Sequence, residues 1–481
     1  MESIETNDNA GLKRTLGLRG AVTLNMLDMI GVGPFITIPL VLASMGGPQA
    51  MLGWICGALL ALCDGMVWAE LGAAIPEAGG TYSFLRVMFP GITGRWLSFL
   101  FMFQLMFSAP LSVASGSIGL AQYGAYLWPA LGRHTVTHAF HVGAYAGSVV
   151  VGPGPLVAML AVLVAVALLY RGLEKIGQLS SAMGVVVLGT ILWLLLTGLV
   201  KGHIAQAFAF PAGAFHLDHG FFLGLGAAML ISTYDFWGYY NVAFLGGEVK
   251  QPERTIPRAI LISIVAVGLI YIGMQVAVLS VLPWQPLLGA QGVDARRAVV
   301  SAFMETAYGT RLGPMLGNVA AILVMITAFA SIFSLLLGYS RIPFAAARDG
   351  NFFRVFGRLH PTRGFPYVSL LALGALALVF CWFSLGDVVA ALVVLRICLQ
   401  FLLQHVGILY LRRTQPDMPR PFRMWLYPLP ALGGIVGFSY ILFGRAHFGR
   451  ELMLAAVVAL VGSAVYWMRT RLAAGKVTLT R

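Results

Sequence analysis

Asp28-Met-Ile-Gly-Val-Gly-Pro-Phe35 lies inside the first long apolar segment of this 481-residue chain. A helix disfavours these eight residues. Gly31 and Gly33 each cost about 1 kcal/mol relative to alanine, and Pro34 removes a backbone donor and clashes with the preceding turn. Yet apolar sequence continues on both sides, from Ala21 to Ala43. The run therefore sits at membrane depth, where a bilayer tolerates open backbone only if protein or a water-filled cavity covers it. Half-helix ends near the midplane are a recurrent way of holding a small solute. A broken first span beside a solute site is the expectation.

The rest of the chain agrees with a bilayer setting. Hydrophobic residues make up 59% and charged ones 10%, against about 25% charged in a soluble domain, and the mean hydropathy is +0.85. Segments of about 20 apolar residues fall at 21–44, 49–71, 95–121, 155–171, 177–200, 220–247, 257–282, 313–340, 364–384, 386–410, 425–444 and 451–469, numbered spans 1 to 12 below. With both termini inside, 23 of the 31 Lys and Arg fall on the cytoplasmic side, seven fall outside, and Arg396 lies within span 10. This asymmetry sets the orientation and accounts for the net charge of +13 without a nucleic-acid partner. The polar start of the chain shows no cleaved signal peptide, which leaves cytoplasmic tails at 1–20 and 470–481. Cys56, Cys63, Cys381 and Cys398 fall in apolar segments, so free thiols are expected and no disulfide-linked subunit. No Walker-type loop, metal-ligand spacing or nucleophile–base pair is found, so neither an enzyme nor a cofactor is indicated.

A second interruption occurs in span 6, at Ser232-Thr-Tyr-Asp-Phe-Trp-Gly-Tyr-Tyr-Asn241. The two breaks begin five spans apart. Five is odd, so the second half enters the membrane with the opposite orientation, and matching breaks in two halves point to an inverted repeat with the site between them. The expected fold is an all-α membrane protein of twelve transmembrane helices. One repeat covers 21–200 and the other 220–410, with two further helices over 425–469. The longest outer connection, about 122–154, is expected to pack on the outer face, and 295–308 to form a short outer helix.

Candidate site residues follow from the breaks. Unpaired amides from Ile30 through Gly31 and Val32 to Gly33, at the positive end of the half-helix beginning near Pro34, suit a carboxylate. Free carbonyls from Thr233 through Tyr234 and Asp235 to Phe236 suit an ammonium. Together they describe a zwitterionic amino acid. A carboxylate at the bilayer centre costs about 3 kcal/mol, so Asp28 and Asp235 need a partner, a cavity or a proton. Both are candidates for ammonium binding or proton coupling, or for pairing with Arg396, which is itself a coupling or gating candidate that could equally hold the unwound segment in place. Tyr234, Phe236 and Trp237 form an aromatic cluster suited to gating. Thr327, Ser331 and Ser334 share one face of span 8 and are candidate sodium ligands, although such hydroxyls commonly bond their own helix. Asp64 and Glu70 are expected to pair with loop arginines, Glu248 with Lys250, Arg254 and Arg258, and His405 to be satisfied packing.

Five motifs in order carry a family resemblance: Gly31-Val-Gly-Pro-Phe35 with Gly46-Gly-Pro48; Ala69-Glu-Leu-Gly-Ala-Ala-Ile-Pro-Glu-Ala-Gly-Gly-Thr-Tyr82; Gly247-Glu-Val-Lys-Gln-Pro-Glu-Arg-Thr-Ile-Pro-Arg258; Arg341-Ile-Pro-Phe-Ala-Ala-Ala-Arg-Asp-Gly350 with His360-Pro361; and Leu411-Arg-Arg-Thr-Gln-Pro-Asp-Met-Pro-Arg-Pro-Phe-Arg423. The chain resembles the amino acid–polyamine–organocation superfamily of LeuT-type permeases. The resemblance implies a secondary permease for amino acids or related amines in a plasma membrane or bacterial inner membrane, using proton coupling or exchange. It places substrate backbone groups at Ile30–Gly33 and Thr233–Phe236. Pro34 stands where relatives typically carry Ile, a feature closer to the plant-type polyamine branch. That branch has an acid in span 10 where this chain has Gln400 and Gln404, which weakens a polyamine reading; a polyamine or cationic-amine permease, favoured by Asp28 and Asp235, stands as the alternative. The span 5 Lys of some proton-coupled relatives is missing between Lys175 and Lys201, so the proton role moves to Asp28 or Asp235. A non-transporting nutrient sensor on the same scaffold is disfavoured by the short tails.

Overall fold

The computed structural model describes residues 12–31, 33–142, 145–171, 173–289, 292–384 and 386–478, and they are mostly helical. Eight described helices are long and apolar enough to cross a membrane, or nine if the bent pair Leu18–Ile30 and Gly33–Met45 counts as one. The chain is built as a multi-pass membrane protein. Span 6 runs from His219 to Phe236 and resumes as the short helix Asn241–Phe244. At the places expected for spans 9 and 11 stand shorter apolar helices, Tyr367–Phe380 and Leu429–Phe443. The last helix, Phe448–Thr478, continues into the segment expected as a tail.

The helices pack in two groups. Spans 1, 2, 6 and 7 lie against one another, and spans 3, 4, 8 and 9 do the same, with span 1 also touching span 8 where the groups meet. Small residues bring the helices of the first group close, as membrane packing requires. A Cβ on Gly53 of span 2 would stand 2.6 Å from the Ala228 Cβ of span 6, and the Ser232 hydroxyl donates to the Gly53 carbonyl at 2.7 Å. Span 6 starts at Asp218, which caps the helix by accepting the Phe221 amide at 2.8 Å. That bond holds its carboxyl below the usual carboxylate range.

The connection at 122–154 departs from the all-α expectation. Span 3 extends through Leu127, and after it a hairpin forms from β1 (Val136–Val142) and β2 (Tyr145–Val151). A third strand, β3 (Phe383–Ser384), joins β2 antiparallel just before span 10. Val in both hairpin strands, with Thr and Phe in β1, suits strand formation; the intervening His, Gly and Ala hid this in the sequence. The expected outer helix at 295–308 is present in two pieces, the short helix Val293–Arg297 and the start of the helix Val299–Tyr339, which kinks at Gly309 (φ 68°) and continues as span 8.

At the opposite end from the hairpin, charges are paired more specifically than their sequence neighbourhood suggests. Glu248 pairs with the distant Arg341, Nε to Oε1 at 2.9 Å and Nη2 to Oε2 at 3.2 Å, both side chains buried. This replaces the expected partners Lys250, Arg254 and Arg258. The Glu248 carbonyl also accepts the amides of Thr15 and Leu16, tying the chain start to the end of span 6. Glu70 accepts Arg412 at 2.5 and 2.8 Å, the Met424 amide at 2.7 Å, and lies 3.6 Å from Arg420, as a loop-arginine partner should. Asp64 does not follow Glu70: six residues earlier, it points inward to Tyr239 and His405. Arg86 joins Glu77 and Asp349, so the Pro-Glu-Ala-Gly-Gly and Ala-Arg-Asp-Gly loops meet on one guanidinium.

Breaking a buried pair by removing one partner costs about 3–5 kcal/mol, because the other charge stays buried. Glu248→Gln is accordingly expected to lower the melting temperature of detergent-purified protein substantially, whereas Lys250→Gln is not. Equal melting of the two variants would refute the Glu248–Arg341 assignment.

Candidate functional site

The two breaks face each other. The first half of span 1 ends at Ile30, Gly31 takes φ +32°, and the second half begins at Gly33. Opposite, Gly238 takes φ +137°, and a Cβ there would stand 2.9 Å from both the Asp28 Cβ and the Met29 nitrogen. Positive φ and close approach both demand glycine. Each interruption leaves helix ends without intrahelical partners, and neighbouring side chains satisfy them. The Tyr271 hydroxyl of span 7 lies 2.6 Å from the Met29 carbonyl and 3.0 Å from that of Asp235, bridging both breaks. Asn25 donates to the Tyr239 carbonyl at 2.6 Å and accepts the Val242 amide at 2.9 Å. From span 8, Ser331 donates to the Asp28 carbonyl at 3.3 Å and Ser334 to the Leu24 carbonyl at 2.9 Å. Thr327 bonds its own helix at Leu323.

A cavity of about 320 Å³ lies at the breaks, bordered by Asp28, Gly31, Gly33, Tyr234, Asp235, Trp237, Ser331 and Arg396 among the residues anticipated. Ile30 and Phe236 are fully buried and border no part of it, Phe236 packing on Tyr271. Thr233, Thr327 and Ser334 also lie outside its lining, and Val32 falls outside the described residues. The cavity shares Thr37, Ser115, Ile118 and Tyr234 with a larger one of about 760 Å³ reaching Thr137, Ser148 and Val150 of the hairpin. Toward the Glu248 end it is closed by an aromatic layer: Trp68 stacks on Tyr240 at 4.8 Å, and Phe244 packs on Tyr240 and Tyr339.

Three charged side chains define the electrostatics. The Asp235 carboxyl accepts the Thr37 hydroxyl and lies against Gly33, where a Cβ would stand 2.5 Å from its Oδ1. The positive end of the second half-helix thus already faces a carboxyl of the protein. Asp28 is buried, and its Oδ1 has no hydrogen-bond partner. Arg396 donates Nε to Gln400 at 3.0 Å and Nη2 to the hydroxyls of Tyr240 and Tyr339 at 2.7 and 3.0 Å. Its guanidinium lies 4.9 Å from the Trp237 ring centre, and Trp237 stacks on Phe401. Arg396 forms no ion pair with Asp28 or Asp235, although all three line the same cavity.

Sequence reasoning missed one wall. Ser112, Ser115, Gly116 and Gly119 of span 3 line the cavity. Their spacing of three, four and seven residues is the stripe of one helix face, a signal that was available. Ile397–Leu402, directly after Arg396, forms wider π-type turns, a feature that recurs at functional sites and has no composition signature.

A family model described as "Amino acid permease" matches residues 16–464. The chain is 26% identical over 478 residues to the serine/threonine exchanger SteT of Bacillus subtilis, covering 96% of this chain and 98% of that one. It is also 26% identical to the branched-chain amino acid permease BcaP of the same organism, over 97% and 95% of the two chains. To an uncharacterized transporter of Mycobacterium tuberculosis it is 30% identical, over 76% of this chain and 72% of the other. The facing breaks, the cavity between them and these matches agree: the chain belongs to the amino acid permease family.

Proposed function

We propose that the protein is a secondary transporter that moves amino acids across a plasma membrane or bacterial inner membrane by alternating access. The observation that carries this reading is the cavity at the facing breaks, with an unpartnered acid and an uncompensated cation on its walls. A zwitterion fits between them, its ammonium toward Asp28 and its carboxylate toward the free Nη1 of Arg396. The carbonyls of Asp28, Met29 and Asp235 are already bonded by Ser331 and Tyr271, so side-chain charges supply the main polar contacts. Tyr234 and Trp237, their ring centres 5.2 Å apart, cover the solute from span 6. A guanidinium in the cavity disfavours a polyamine, whose cations it would repel.

The helix groups support a twelve-span, five-plus-five architecture, because their members come in pairs five apart: 1 with 6, 2 with 7, 3 with 8, 4 with 9. In alternating access one group moves against the other around the fixed site. With the Lys and Arg excess cytoplasmic, both termini are inside, the hairpin faces outward, and the described state is open toward the outside. The relatives' names cover hydroxylated, branched-chain and cationic amino acids, so all three belong in a first screen.

L-serine, L-leucine and L-lysine at millimolar concentration are expected to include a ligand that raises the melting temperature of purified protein, since stabilisation grows with concentration over Kd. That ligand should also exchange across proteoliposomes; exchange of putrescine with none of the three would sink the reading. Arg396→Gln is expected to weaken binding of the amino acid by about 10-fold or more, a charged hydrogen bond being worth roughly 1.5–3 kcal/mol, with less effect on the matching decarboxylated amine. Gly33→Ala, which drives a methyl group into the Asp235 carboxyl, is expected to abolish exchange, with wild-type exchange counting against the site.

A further inference from the structure

Outside the lining of the substrate cavity, Asp64 of span 2 and His405 of span 10 form a pair with 0% exposure on both side chains. His405 Nδ1 lies 2.8 Å from the Phe401 carbonyl. A carbonyl only accepts, so Nδ1 carries the hydrogen of the neutral ring and Nε2 is left with a lone pair. That lone pair faces Asp64 Oδ1 at 3.5 Å, while the other carboxyl oxygen accepts the Tyr239 hydroxyl. Neither Nε2 nor Oδ1 has a hydrogen-bond partner. Two acceptors thus oppose each other in a dry interior, an arrangement that one added proton converts into a hydrogen bond.

We propose that the Asp64–His405 pair is the site that binds the coupling proton; this rests on the transport reading above. The proton arrives from water, occupies the gap between Nε2 and Oδ1, and leaves as a proton; no other bond is made or broken. Its occupancy is connected to the substrate by two consecutive residues. Tyr239 donates to Asp64, and its carbonyl is held by Asn25 of span 1. Tyr240 accepts Arg396 from the cavity wall, and the two tyrosine rings pack edge to face at 5.0 Å. Both follow the Gly238 break, so a change in the Asp64 bond acts on the half of span 6 that must move relative to span 1.

The surrounding titratable groups are few. Span 6 brings Tyr239 and Tyr240, and span 7 brings Tyr271, committed to the carbonyls at the breaks. Span 10 adds Arg396 and, beyond His405, Arg412, which is bound to Glu70 of span 2. Span 2 adds Cys63 next to Asp64. The helix Thr81–Met88, packed on span 10, adds Tyr82 and Arg86, the latter paired with Glu77 and Asp349. Span 11 meets the histidine with Gly434 and Phe438, neither of which titrates.

The experiment uses full-length protein in proteoliposomes and whichever of L-serine, L-leucine and L-lysine the wild type exchanges. An inward proton gradient is expected to drive accumulation by the wild type. In Asp64→Asn and His405→Gln, gradient-driven accumulation should fall by about tenfold or more, the scale of one coupling free energy, and lose its pH dependence, while exchange without a gradient continues. Tyr239→Phe keeps the acid–base pair and removes only its donor, so it should shift the pH midpoint of accumulation by about one unit. Retention of the wild-type pH profile in Asp64→Asn or Tyr239→Phe overturns the proposal. So does a wild type that exchanges the amino acid but ignores the gradient. Absence of any amino acid exchange by the wild type removes the transport reading itself, and this assignment with it.

Discussion

A broken helix inside a bilayer is tenable only if every backbone group it frees finds a partner, because lipid offers none. Here one hydroxyl does much of that work. Tyr271 stands between the Met29 and Asp235 carbonyls, so the open ends of spans 1 and 6 share a single donor from span 7. Asn25 meets the complementary need from span 1, giving to Tyr239 and taking from Val242. The breaks are therefore held against each other by hydrogen bonds across spans, not within them, and the cavity exists because the helices there are not continuous.

This arrangement decides where charge is available. The carbonyls of Asp28, Met29 and Asp235 at the breaks already accept hydroxyls of span 7 and span 8, and the positive end at Gly33 faces Asp235. Among the charged groups that line the cavity, the Asp28 carboxyl and one edge of Arg396 stay without a hydrogen-bond partner. Arg396 is itself held by two tyrosine hydroxyls and Gln400, so its position is fixed while part of its donor set stays open. Pre-positioned charge of this kind favours affinity because little side-chain ordering remains to be lost on binding.

Much of this was legible in the sequence. Gly31, Gly33 and Pro34 disfavour a continuous helix in one apolar run, and the polar and aromatic residues from Ser232 to Asn241 interrupt another, so both breaks were expected from the local sequence. What was not legible depended on direction. Phe236 and Trp237 are neighbours, yet one turns into the Tyr271 packing and the other into the cavity, and no local rule separates them. Asp64 and Glu70 lie six residues apart on one helix and face different worlds, one a histidine and the other arginines. The partner of Glu248 is remote in sequence at Arg341. The strands escaped notice because hairpins at a membrane surface carry neither the long apolar run of a span nor a short Asn-Gly turn.

The three-stranded sheet joins parts of the chain that the helices keep separate. β2 belongs to the connection between spans 3 and 4, and β3 to the approach to span 10, yet they share backbone bonds, including the Val150 amide on the Trp382 carbonyl at 2.8 Å. Backbone bonds of this kind are short and directional, and they break before they stretch. The hairpin-side ends of spans 3, 4 and 10 are therefore fastened into one mechanical unit, like a hasp across the mouth of the cavity. Span 10 carries Arg396, so any swing of the hairpin is transmitted toward the guanidinium that lines the cavity, and the mouth and that charge keep a common frame.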